Sequence, residues 1–372
     1  MKIIPFYLPQ YHEIPENNEW WGKGFTEWTN VKNARPLYEG HKQPKVPQNN
    51  NYYCLLDEKV IDWQIKLAKK YGIYGFCFYH YWFDGHLLLE KPIEQYLQNR
   101  NLDLPFCLCW ANPDWTKIWA GKGSEVLIHQ NYMNKSDLEK HMTYLINFFK
   151  DPRYIKEDGQ PVFIIYSPEE IPNLSDIVSY IRKRVVDEGF PGIKLMYQYY
   201  VSPDKDECVR KQFDYKIRFQ PVHALHEIED SGRKGIMIKI LHFGNNIIKK
   251  FFKSDLSDHL LRLRKTSYDE VWNKVINYEP KDSKDVACAF VNWDNTPRRG
   301  NSGRVIVGGT PKKFENYMKQ LLKKVDNCYG NEYVFITAWN EWSEGSYLEP
   351  DKDDGCSYLS AISEAISSYE EK

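Results

Sequence analysis

Val334-Phe-Ile-Thr-Ala-Trp-Asn-Glu-Trp-Ser-Glu-Gly-Ser-Tyr-Leu-Glu-Pro350 is an apolar run that breaks off into Asn340, Glu341, Trp342 and Glu344. Val334 to Ala338 reads as a strand, and its period of two would send Glu341 and Glu344 to opposite faces. The backbone must therefore bend between Trp342 and Gly345, where glycine permits it. Two carboxylates at a strand end suit acetal chemistry, because one can protonate a leaving oxygen while the other acts as base or nucleophile. Tryptophan faces supply an apolar platform for a pyranose ring. The plainer alternative is that Asn340 and Glu344 only close a surface loop.

Working outward, seven further apolar runs of similar length precede this one: Ile3 to Leu8, Tyr74 to Trp82, Pro105 to Ala111, Val162 to Tyr166, Ile193 to Tyr199, Tyr215 to Gln220 and Val286 to Trp293. Helical spacing lies between many of them, as in Glu58 to Tyr71 and Lys135 to Phe149, and again in Pro311 to Lys324 and Ser357 to Tyr369. Eight strands alternating with helices predict an α/β fold, a single (β/α)₈ TIM barrel spanning 1–372. Two segments exceed a plain barrel. Residues 11–51 are loop-like and would lie over the catalytic mouth, and 222–284 form a long insertion before the seventh strand. Inside it, 233–253 is basic and amphipathic; peripheral membrane contact is one reading, and a helix covering the barrel flank is the simpler one.

The formal charge of −1 gives no global field toward nucleic acid or an anionic membrane. No apolar stretch approaches a transmembrane span, and no signal-peptide pattern opens the chain, so a cytoplasmic location is expected. Eight cysteines without a Cys-x-x-Cys pair indicate neither a disulfide framework nor a zinc site. No cofactor or metal is expected. Aromatic residues make up 15% of the chain, which suits a carbohydrate-binding cleft and an oligo- or polysaccharide partner.

Barrel chemistry gathers at the C-terminal ends of strands, and polar or aromatic groups recur there. Tyr7 and Gln10 end the first run, His80, Tyr81 and Trp82 the second, and Trp110 with Asn112 the third. Gln198 ends the fifth, Asn292, Trp293 and Asp294 the seventh, and Asn340 and Glu341 the eighth. With Trp28 and Trp342, these are the candidate substrate-binding residues around a catalytic Glu341 and Glu344. Arg298 and Arg299 rank below the carboxylates, since exposed arginines are usually only solvated.

Five runs carry a family resemblance: Pro9-Gln-Tyr-His-Glu-Ile-Pro-Glu-Asn17, Trp20-Trp-Gly-Lys-Gly-Phe-Thr-Glu-Trp28, Gly75-Phe-Cys-Phe-Tyr-His-Tyr-Trp-Phe83, Trp293-Asp-Asn-Thr-Pro-Arg-Arg-Gly300 and Trp339-Asn-Glu-Trp-Ser-Glu-Gly345. They resemble the WbsX-type proteins of bacterial polysaccharide loci, a group similar to glycoside hydrolase family 99, the endo-α-mannosidases and endo-α-mannanases. The shared motif Asn-Glu-Trp-x-Glu-Gly falls on Asn340 to Gly345. The resemblance implies that Glu344 is the acid/base and that Glu341 draws the proton from the sugar 2-hydroxyl, so that O2 attacks C1 through a 1,2-anhydro sugar with retention. O2 must then stand anti to the leaving oxygen, as in α-manno or α-rhamno sugars. Direct attack by one glutamate is the conventional alternative. Pro113-Asp114-Trp115 departs from the family's usual Glu-Asn-Trp.

WbsX-type proteins also carry the label glycosyltransferase. That chemistry often uses an Asp-x-Asp pair for a metal, and Asp204-Lys-Asp206 and Asp351-Lys-Asp353 have the spacing in loop-like surroundings. Transglycosylation in O-antigen or capsular polysaccharide assembly, and a non-catalytic glycan-binding barrel, are the other readings.

Overall fold

The computed structural model describes residues 1–117, 125–132, 134–199, 203–231 and 263–370. The 233–253 segment lies outside the described residues. Eight parallel strands form a closed barrel: β1 (Lys2–Tyr7), β2 (Phe76–Phe83), β3 (Phe106–Trp110), β4 (Gln160–Ile165), β5 (Lys194–Tyr199), β6 (Tyr215–Arg218), β7 (Asp285–Phe290) and β8 (Tyr333–Thr337). Each pairs with the next, and β1 pairs with both β2 and β8. Closure leaves the barrel no unpaired edge.

Helices alternate with these strands as the apolar spacing predicts. Glu58–Lys70 starts where Asp57 accepts the amide of Lys59, and it buries Ile61, Gln64, Ile65 and Ala68 on one face. Asn134 caps Lys135–Phe149 in the same way, and Thr310 caps Pro311–Cys328. Between β6 and β7 lie the helices Val222–Ser231 and Tyr268–Ile276. The short strand Arg264–Ser267 also falls there and pairs in parallel with Arg304–Val307. No helix among the described residues is long and apolar enough to cross a membrane.

Several strands stop short of the apolar runs, so that Leu8, Ala111, Gln220 and Trp293 belong to the loops at the barrel mouth. The barrel interior is packed by inward rings. Phe6 lies 5.6 Å from Tyr79, 5.6 Å from Phe219 and 5.3 Å from Phe335, centroid to centroid. Tyr79 and Phe219 close this plug at the C-terminal end, so any open space lies above them, as in other barrels of this kind. The long connection after β1, expected as loop, contains the short helices Pro15–Trp21 and Glu27–Asn33. The second of these is pinned against the barrel where the Glu27 amide donates to the Gln10 carbonyl at 3.1 Å.

Candidate active site

The expected bend after β8 is a tight hairpin. Asn340–Glu341 pairs antiparallel with Ser346–Tyr347, a turn of 3₁₀ helix spans Trp342–Glu344, and Gly345 sits at φ +60°. Both glutamates consequently leave the hairpin toward the same arginine. Asn340 fixes the hairpin to the end of β1: its Oδ1 accepts the Leu8 amide at 2.8 Å and its Nδ2 donates to the Leu8 carbonyl at 3.0 Å. The Tyr11 hydroxyl donates to the Asn340 carbonyl and accepts the Trp342 amide. Asn340 thus serves the backbone, not a carboxylate of the pair.

Arg298 comes from the four-residue helix Thr296–Arg299 that follows β7. Asp294 shapes this segment, accepting Thr296 Oγ1 at 2.6 Å on one oxygen and His41 Nε2 and Gln43 Nε2 at 2.8 and 2.7 Å on the other. Arg299 is exposed, whereas Arg298 is 7% exposed and holds three carboxylates. Its Nη1 lies 2.7 Å from Glu344, and its Nη2 lies 3.2 Å from Glu341 and 3.1 Å from Glu27. Glu27 also accepts the Ser343 hydroxyl from within the hairpin. Charge-assisted bonds of this kind are the strong ones, and enclosure keeps water from competing.

Burial pushes the Glu341 carboxyl up to about 8, and the charges of Glu344 and Glu27 add to the rise against the pull of Arg298. Burial opposes the Arg298 charge, but three carboxylates outweigh it and hold the guanidinium well above its usual range. Burial also raises the phenols of Tyr11, Tyr79 and Tyr81, which therefore remain neutral beside the cluster.

Glu341, Glu344 and Arg298 form part of the wall of a cavity at the barrel mouth. Of the expected binding residues, Gln10, Tyr81 and Trp293 line it, and so do Asp114 and Trp115 from the segment that departs from the family pattern. Tyr79, Tyr166 and Phe219 complete an aromatic lining.

The other expected binding residues do not line this cavity. Tyr7 is enclosed and donates to Gln64, and Trp28 donates to the Tyr53 carbonyl. His80 meets His141 at 2.9 Å, Trp82 donates to Asp137, and Trp110 packs edge-on against His141. Asn112 bonds Tyr132 and the Ser167 backbone, Gln198 is buried beside Cys109, and Trp342 donates to Glu349 at 2.6 Å. Asn292, bonded to Tyr358, lines a separate hollow with Asp294. Asp351 accepts the Tyr347 hydroxyl and the Asp354 amide. Glu27 was not singled out in the sequence; its only signal is its place within Thr26-Glu27-Trp28 of a family-like run.

A closed (β/α)₈ barrel with clustered carboxylates at its C-terminal mouth defines the structural class. The chain belongs to the WbsX family, whose model, described as "Glycosyltransferase WbsX", matches residues 3–362. WxcX proteins of Xanthomonas campestris pv. campestris are relatives, one from strain ATCC 33913 at 34% identity over 369 residues and one from strain B100 at 33% over 371. Each match covers 98% of this chain and 49% of the relative, so the chain spans about half the length of these curated relatives. Among solved structures, the GH99 endo-α-mannosidase from Bacteroides thetaiotaomicron is similar with a TM-score of 0.52 at 13% identity, over 99% of this chain and 97% of that one. A glycoside hydrolase-like protein gives 0.59 at 12%, over 98% and 93%. At such identities the likeness establishes the barrel fold.

Proposed function

We propose that the protein cleaves an α-manno- or α-rhamno-configured linkage in a bacterial glycan with retention of configuration, using Glu341 and Glu344. The observation that carries this reading is one buried guanidinium holding both carboxylates at the wall of an aromatic cavity. Burial and the neighbouring carboxylates favour the protonated form of Glu341. The reaction needs the other arrangement, with the proton on Glu344 and Glu341 ionised, and the two forms carry the same net charge. Transfer of one proton within the pair therefore prepares the site.

Glu341 then takes the 2-hydroxyl proton as O2 attacks C1, while Glu344 gives its proton to the departing oxygen. Water opens the resulting 1,2-anhydro sugar at C1, losing a proton to Glu344 as Glu341 returns one to O2. Tyr81 and Trp293 supply lining against which a sugar ring rests. The family's own description favours a second outcome, in which a sugar hydroxyl replaces water and the enzyme transfers.

Product analysis by mass spectrometry and NMR tests this, comparing wild type with Glu341→Gln and Glu344→Gln on α-mannosides, α-rhamnosides and bacterial polysaccharides, with and without nucleotide sugars. Release of a retained-configuration sugar without nucleotide, lost in both variants, is the expected result. Turnover only with a nucleotide sugar would replace this mechanism with glycosyl transfer from an activated donor.

A further inference from the structure

We propose that Glu27 is a positioning residue that decides which of the two catalytic carboxylates holds the proton, by competing with Glu341 for one nitrogen of Arg298. The inference rests on the glycosidase reading above for its meaning in catalysis, but its geometry stands by itself. Arg298 divides its donors unequally. Nη1 serves Glu344 at 2.7 Å, whereas Nη2 is split between Glu27 at 3.1 Å and Glu341 at 3.2 Å. Glu344 therefore has the shortest of the three contacts, and Glu341 shares Nη2 with Glu27.

Glu27 is held so that it cannot yield that share. It is 3% exposed, its second oxygen accepts the Ser343 hydroxyl, and its amide is tied to Gln10. Thr26 and Thr29 cap each other's backbone around it. Glu27 does not line the cavity, so it acts through Arg298 and not on a sugar. With all three carboxylates ionised, one guanidinium would leave a buried net charge of −2, and a single proton on the least well paired member relieves it.

The groups that face Glu341 come from several elements. They are Glu27 and Tyr11 from the loop after β1, Tyr79 and Tyr81 from β2, Arg298 after β7, and Glu344 from its own hairpin. The phenols are neutral, so the balance lies among three carboxylates and one arginine. Removing the Glu27 charge releases Nη2 to Glu341 and removes a like charge, and both effects favour its ionised form.

The test is ¹³C NMR of protein labelled at the glutamate side-chain carboxyl, with the Glu341 resonance assigned from Glu341→Gln. Glu27→Gln should lower the Glu341 titration midpoint by about one pH unit or more. Glu27→Asp keeps the charge on a shorter side chain, so its midpoint should fall between those of Glu27→Gln and wild type. That variant also serves should Glu27→Gln not fold. A midpoint that stays at the wild-type value in a folded Glu27 variant overturns the proposal. The titration needs no substrate, so an ordered shift without glycosidase activity would sink only the functional reading. Activity together with an unmoved midpoint would sink only the role of Glu27.

Discussion

The amide of Asp294 donates to the carbonyl of Glu344 at 2.6 Å, stitching the loop after β7 to the hairpin after β8. Gly345 makes this crossing possible. A Cβ there would lie 2.9 Å from the Asp294 Cβ and 3.0 Å from its nitrogen, on a backbone already at φ +60°. Gly345→Ala is expected to cost about 1–3 kcal/mol by overpacking. Because the strain falls beside Glu344, turnover should drop further than stability requires. Urea denaturation and steady-state rates on the same preparation separate the two effects.

Replacing Arg298 by methionine leaves carboxylates enclosed without their counter-charge. Breaking a buried pair in this way costs about 3–5 kcal/mol. The deficit should be largest at alkaline pH and shrink as the pH falls, since protonation relieves the stranded charges. Denaturation midpoints across a pH series give the measurement, and a deficit independent of pH would contradict the ion-pair account.

The raised Glu341 carboxyl makes a signed prediction. Its folded-state value, about 8, lies above the ordinary value of 4.5, so between these limits the folded protein retains a proton that the unfolded chain has released. This contribution to stability is present below the lower limit and is lost as pH rises through the upper one. Glu349, raised by burial to about 7, adds to the same slope. Glu341→Gln should remove part of the slope and be more stable than wild type near about pH 9, by an amount on the order of a few kcal/mol. Calorimetric melting across pH checks this, and equal slopes would refute it.

Asn340→Ala strips both partners from the Leu8 backbone in a closed interior, at about 1–3 kcal/mol for each group left unsatisfied. A structural fastener of this kind should lower stability and kcat while leaving KM for any glycan nearly unchanged. A selective rise in KM with normal melting would instead assign the side chain to the substrate.

The barrel was legible because its strands are short apolar runs separated by amphipathic helices, and the two glutamates because their motif ends the last run. Which strand-end residues face the cavity was not legible, for a reason that β2 makes plain. Tyr79 and Tyr81 line the cavity, whereas His80 and Trp82, one position out of phase, pack toward His141. A period of two separates these sets but does not say which is inside when both are apolar or aromatic. Arg298 was underrated because an arginine's usual exposure says nothing about three carboxylates arriving from distant loops. Glu27 and Ser343, 316 positions apart, meet only through the fold.

Asn340 fastens Leu8 across 332 positions, and β1 meets β8 along the same seam. In a growing chain, everything through β7 can be made while β1 and β7 still present open edges, and the glutamates follow only after β8. The contacts that close the barrel and those that place the two glutamates therefore lie on the same seam between the two ends of the chain. A chain interrupted before β8 would lack both Glu341 and Glu344 and would leave the edges of β1 and β7 without the strand that joins them.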